Sequence, residues 1–263
     1  MNRKTKTADR DFTATKEELK KLLKKIKGKE SDSRAISDAR REFKEVLARA
    51  TPMMIALAEQ ELVQEGFSQD DLVTACDIHL ELFKDSIEKP DLEVPADHPI
   101  ARFQEDHRVI LRMMEELRET VLKAKSRGSL EAARAEMESI EELIGDLLEA
   151  ENHNVRQENT LFPILERHGL EQPPAIMWLE HTEMKQQKKK ILSLITERET
   201  KDFTTLINLL EAMSIMLIEK FAAHTQKEQN ILYVTALEVI TEEEWNDIKE
   251  ECDNLGYFDA RRN

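Results

Sequence analysis

Cysteine is the first scarcity. Cys76 and Cys252 are the only two in 263 residues, and neither has a partner at metal-ligand or redox spacing. That argues against a disulfide scaffold and fits a reducing cytoplasm, the expected location. Glycine is rare as well, at six, and no glycine-rich phosphate loop or nucleophile motif occurs. No apolar run approaches membrane-spanning length. The start is polar and lysine-rich, so it does not read as a signal peptide. Excess positive charge is missing too: the net charge is −15, which argues against nonspecific binding to nucleic acid through its phosphates. The lysines between Lys16 and Lys29 read as a solvated helix face. No repeat suggests a solenoid.

What remains is helix-forming. Charged residues make up 35% and aromatics 5%, a profile rich in Glu, Lys, Leu, Ala and Met that belongs to an all-α protein. Residues 1–14 read as a disordered tail. Thr15 and Glu18 then form a capping-box pattern for a helix that Gly28 ends. A second helix is expected from about Ser33 to Ala48. A third runs from Thr51-Pro52 to Gly66, and a fourth starts at Ser68 and carries Leu72, Ala75, Ile78, His79, Leu82 and Phe83. Pro90, Pro95 and Pro99, with acidic residues between them, mark a linker. The expected organisation is a tail (1–14), a small N-terminal helical domain (15–92) and a larger helical domain (93–263).

Four long apolar patterns follow. The first spans about Pro99–Lys125, with Ile100, Phe103, His107, Ile110, Met114, Leu117 and Val121 on one stripe. The second runs from about Leu130 to Arg167. The third opens at Pro173-Pro174 and reaches Thr196. The fourth starts near Phe203 and presents Leu206, Leu210, Met213, Leu217, His224, Glu228 and Ile231. A last short helix begins at Thr241-Glu-Glu-Glu. Short turns between long helices predict an antiparallel up-down four-helix bundle.

Each of the four patterns carries one histidine at a comparable height: His107, His153, His181 and His224. Counted from the helix ends at about 1.5 Å per residue, these heights agree within roughly 12 Å. A single histidine on an apolar stripe is ordinarily a hydrogen-bonded core residue. Four of them, one per helix, with Glu228 one turn after His224, point instead to a metal site. Imidazole with carboxylate suits iron, manganese or zinc, and the absence of thiolates argues against an iron–sulfur cluster. The stretch around His153 has a near copy at His224, but its acid, Glu158, lies five residues on, with Gln at 157. On a regular helix that places Glu158 about 140° from His153. Either a local distortion such as a π-bulge turns Glu158 inward, or this helix contributes His153 alone. His98 precedes Pro99 and reads as an N-terminal residue, with ligation the alternative. His168 before Gly169 fits a helix C-terminus.

These residues carry a resemblance. "EDHRVI", "HNVRQENTLFP", "WLEHTEM" and "HTQKEQNILY" together resemble a hemerythrin-like HHE cation-binding domain over about residues 97–257. The resemblance implies a non-heme di-iron centre bridged by carboxylates, with His107, His153, Glu158, His181, His224 and Glu228 as metal residues. It also implies oxygen binding, oxygen or nitric oxide sensing, or iron–sulfur repair. Lys185 stands where the oxygen carriers have a second histidine on the third helix, which weighs against reversible oxygen carriage. The stretch "TPMMIALAEQELVQEGFSQDDLVTACDIHLELF" is similar to the domain of unknown function 438 that often precedes such a bundle.

The expected function is a di-iron protein that senses or responds to oxygen, nitric oxide or redox state. Its partners are a small gas, with no nucleic acid and no membrane, and a protein partner for the N-terminal domain. The alternatives are iron-centre repair, iron storage or a di-iron peroxidase-type enzyme, and a metal-free interaction module. No general acid distinct from the metal residues stands out, so the reading leans away from an enzyme.

Overall fold

The computed structural model describes residues 3–26, 45–46, 49–68 and 92–258, and all the regular structure in them is helical. Cys76, His79 and the expected second and fourth helices fall wholly or largely outside these residues. The chain forms two compact units: Met1–Asp91 with Leu165–Met177 and Gln226–Ile240, and Leu92–Ile164 with Trp178–Thr225 and Thr241–Asn263.

In the first unit, α1 (Arg3–Ile26) runs through the residues expected to be a tail. Nothing in that stretch breaks a helix, since it holds neither glycine nor proline, so Thr15 is buried inside α1 instead of capping it. Leu19, Leu22 and Leu23 give α1 a buried stripe, and α1 packs on α2 (Pro52–Gln64). Thr51 caps α2 by accepting a hydrogen bond from the Met54 amide at 3.3 Å, Pro52 occupies the first turn, and Gly66 follows at φ +94°. Lys20 is buried between Glu61 at 2.6 Å and Glu65 at 2.8 Å.

The second unit holds the bundle. Its first helix, α3 (Pro99–Arg127), starts at His98, whose ring nitrogen accepts from the Ile100 amide at 3.2 Å, and stops at Gly128 in the left-handed region (φ +78°). The second pattern is not one helix. Residues 130–133 are turn, α4 spans Arg134–Glu149, and the chain re-enters helix as α5 (Asn152–Arg156). At the break between them Glu151 is buried and accepts from Lys188 Nζ at 2.6 Å and from the Asn154 side-chain Nδ2 at 3.1 Å. A π turn (π1, Gln157–Leu161) and α6 (Phe162–Arg167) complete this segment. Next come α7 (Gln172–Thr196), a 3-10 turn at Arg198–Thr200, and α8 (Phe203–Lys227). That last helix continues as a second π turn (π2, Glu228–Leu232) into α9 (Tyr233–Val239), a stretch that belongs to the first unit. A capping box of Thr241 and Glu244 opens α10 (Glu242–Leu255).

One buried cluster joins Ile110, Met114, Leu117 and Val121 of α3 to Met137, Ile140, Ile144 and Leu147 of α4. Ile191 and Ile195 of α7, and Leu206, Leu210, Leu217 and Phe221 of α8, close it. The three- and four-residue spacing turns one face of each helix inward, which is what fixes their rotation about their own axes. Each such side chain contributes about 1.5–3 kcal/mol on burial. His107, His181 and His224 lie on α3, α7 and α8, and His153 lies on α5 just after the break. No described helix is long and apolar enough to cross a membrane.

Candidate metal centre

The four histidines are 5% exposed or less, and they meet as two pairs. His107 and His153 bring their Nε2 atoms to 3.2 Å, and His181 and His224 bring theirs to 3.1 Å. Both pairs have ring centroids 4.8 Å apart, at interplanar angles of 65° and 67°. The matching geometry reflects an internal repeat. His153, Gln157, Glu158, Asn159, Leu161 and Phe162 stand at the same spacings as His224, Glu228, Gln229, Asn230, Leu232 and Tyr233. Both copies enter a π turn four residues after the histidine.

Glu228 is fully buried, and its carboxylate converges with both pairs. His107, His153 and Glu228 form one group of ligand atoms within 4.8 Å of one another, and His181, His224 and Glu228 form the other. A shared carboxylate between two imidazole pairs is the arrangement that bridges two ions.

The outer ring nitrogens are held by acids. His153 Nδ1 lies 3.2 Å from Asp106 Oδ2, His181 Nδ1 2.8 Å from Glu158 Oε1, and His224 Nδ1 2.8 Å from Glu180 Oε2. An acid at Nδ1 keeps the proton there and leaves Nε2 with its lone pair. In the second pair this holds for both rings, so two neutral lone pairs face each other at 3.1 Å. That contact is repulsive unless a cation accepts both, so the donor set fits a metal. The carboxylates of Asp106, Glu158, Glu180 and Glu228, gathered around neutral imidazoles, carry charge suited to two divalent ions. Aromatic walls surround them: Phe103 meets His153 edge-on at 5.6 Å, and Phe162 stacks on His181 at 5.9 Å.

The π turns explain how Glu158 is used. It reaches the outer nitrogen of His181 and lies outside the two converging groups, while Gln157, fully buried, places its amide 3.2 Å from His153 Nε2. Glu228 occupies the corresponding place in the other copy. His98 caps α3 and packs at a tilt against Trp245, with ring centroids 4.4 Å apart, and His168 lies just past α6. Cys252 is buried 3.6 Å from the Thr160 hydroxyl, and burial pushes its thiol pKa up.

Asp106 and Glu180 escape a reading of local periodicity, although each directly precedes a histidine of the set. Neither serves its neighbour: each orients the histidine of the other helix in its pair. The fully buried Arg156 shares Asp106 with His153 and gives its Nε to Asn152 Oδ1 at 3.0 Å. Burial alone pushes the Asp106 carboxyl up, but the hydrogen bonds from His153 and Arg156 and the positive charge of Arg156 outweigh it and hold it below the ordinary value.

A search of curated proteins finds no match to this chain. Residues 19–89 match the model of a family of unknown function (DUF438). Residues 98–236, more than half of the chain, match the hemerythrin HHE cation-binding domain, and that stretch holds His107, His153, His181, His224 and Glu228. The chain therefore belongs to the hemerythrin HHE cation-binding family.

Proposed function

We propose that the bundle holds a dinuclear non-heme iron centre and that the protein senses or responds to oxygen, nitric oxide or redox state. The observation that carries this is the pair of histidine pairs sharing Glu228. His107 and His153 would hold one ion, His181 and His224 the other, with Glu228 between them. Nitrogen and oxygen donors without thiolate suit iron, with manganese or zinc the alternatives. Such a centre supplies redox chemistry toward small gases.

The chain's own residues set the conditions for it. Asp106, Glu158 and Glu180 fix the rotation and tautomer of His153, His181 and His224, so the donor atoms are in place before any ion arrives. Phe103, Phe162 and Phe221 shield the rings from bulk water. Four imidazoles and one carboxylate fill fewer positions than two six-coordinate ions offer, which leaves room for a small ligand. Lys185, one turn after His181, adds no imidazole. This favours a responder over a reversible carrier. The N-terminal unit is the element through which a protein partner would read the response.

Metal analysis of anaerobically purified protein tests the reading. About two iron atoms per chain are expected, bound through nitrogen and oxygen. Less than about half an atom after reconstitution with iron would reject it and favour a metal-free interaction module. His224→Ala should remove most of the metal, because it deletes a donor from the pair in which acids orient both rings.

A further inference from the structure

We propose that the pocket at the start of α3 is a binding site for a small oxyanion, a carboxylate or phosphate group on a free small molecule. The cavity measures 210 Å³, and its lining includes Arg102, Arg156, Lys249, Tyr257, His98 and Asp97. Three cationic side chains face this one cavity with a single lining acid, Asp97; a second acid, the buried Asp106, pairs with both Arg102, at 3.2 Å, and Arg156. The N-terminus of the 29-residue α3 opens at the same place and adds the positive end of its dipole.

The second observation is Arg156. It is fully buried, its Nε is taken by Asn152 and its Nη2 by Asp106, and its Nη1 has no hydrogen-bond partner. A guanidinium donor removed from water and left unsatisfied at a cavity wall is the feature an acceptor oxygen would complete. Tyr257 holds the fork in place. Its ring lies 4.5 Å from the Arg156 guanidinium carbon and 4.8 Å from that of Arg102, and its hydroxyl donates to Asp253 at 2.6 Å.

Lys249 supplies the movable charge. Its ion pair with Asp97 spans 2.9 Å between side chains that are 42% and 77% exposed. A pair that open to water contributes little, so an incoming oxyanion replaces Asp97 at small cost. The cavity volume corresponds to several waters, at about 30 Å³ each, enough for an oxyanion with a short carbon body. Guanidinium groups match carboxylate and phosphate oxygens in pairs, which selects oxyanions over halides.

Trp245 reports on the pocket, because its ring packs at a tilt against His98, with centroids 4.4 Å apart. Inorganic phosphate and malonate are titrated separately into the full chain while tryptophan emission is followed, with Trp178→Phe removing the other indole. Saturable binding of either anion is expected, and chloride at equal ionic strength should not reproduce it. Lys249→Ala and Arg102→Ala should each weaken binding about tenfold, the loss of one charge-assisted contact. His224→Ala should leave binding intact, which separates the pocket from the metal centre. The proposal is overturned if no saturable response occurs up to tens of millimolar, if chloride reproduces it, if both pocket variants bind unchanged, or if His224→Ala abolishes it.

Discussion

At the scale of single residues, Gln157 and Glu228 are the informative pair. They occupy the same place in two copies of one motif, yet one is a neutral amide and the other a carboxylate. Their neighbours are exchanged in the opposite sense, Glu158 against Gln229. One copy therefore delivers its acid to the shared position between the rings, and the other delivers it behind His181 at 2.8 Å. Removing a carboxylate that orients a ligand histidine costs about 10–100-fold in metal affinity. Glu158→Ala is expected to show that loss by calorimetric titration with ferrous ion or a spectroscopically silent substitute. Gln157→Glu should strengthen binding, since it adds a second carboxylate beside His153. If Glu158→Ala binds metal as the unaltered protein does, the orienting role is wrong. Replacing Glu228 with Ala should cost more than either change.

Among the elements, the contact between α1 and α2 is where pH should be felt away from the metal. Hydrogen bonds from Lys16 and then Lys20 hold the Glu61 carboxyl below its ordinary value, and those from Lys20 and Lys24 lower Glu65 to about 2. Both carboxylates have folded pKa values depressed below the unfolded ones. Their contribution is thus present above the ordinary value of 4.5 and lost as pH falls toward about 2. Lys20 is shifted the other way, raised chiefly by its hydrogen bond to Glu61, so its contribution is complete below 10.5 and lost only above that. Hydrogen-exchange protection of the second half of α1, corrected for intrinsic rates, should fall between pH 4.5 and 2.5. Lys20→Met should flatten that dependence. Equal pH slopes in the two proteins would place the stability of this contact in Leu19, Leu22 and Leu23 alone.

For the whole molecule, metal and fold are linked. An ion that binds only the folded chain stabilises it by about 2.7 kcal/mol at a hundredfold excess over its dissociation constant. For a chain of this size each kcal/mol moves the melting temperature by about 2–4 °C. Removing the metal should therefore lower the melting temperature by about 5–10 °C. Unchanged melting would mean that the four imidazoles are satisfied without an ion. The reduced, iron-loaded protein is expected to oxidise in air without a long-lived oxygenated spectrum, and its absorption should change with nitric oxide. A stable, reversible oxygen spectrum would restore the carrier reading. Silence toward both gases at full loading would favour repair or storage.

The features legible in the sequence are those governed by neighbours on one helix. Thr51-Pro52, Pro99, Gly128 and the Thr241–Glu244 box set helix ends through bonds closed within a turn. The apolar period turned His107 and His224 inward for the same reason. Breaks without a proline or glycine were not legible. The interruption at Ala150–Glu151 rests on a buried ion pair with Lys188, 37 residues away. The assignment of acids to rings is also a tertiary matter. Asp106 serves His153, Glu180 serves His224 and Glu158 serves His181, and each of these bonds joins different helices. A carboxylate reaches across only when the height and rotation of two helices agree to within a hydrogen-bond length. The packing of the common core sets both quantities, and no period along a single chain contains them.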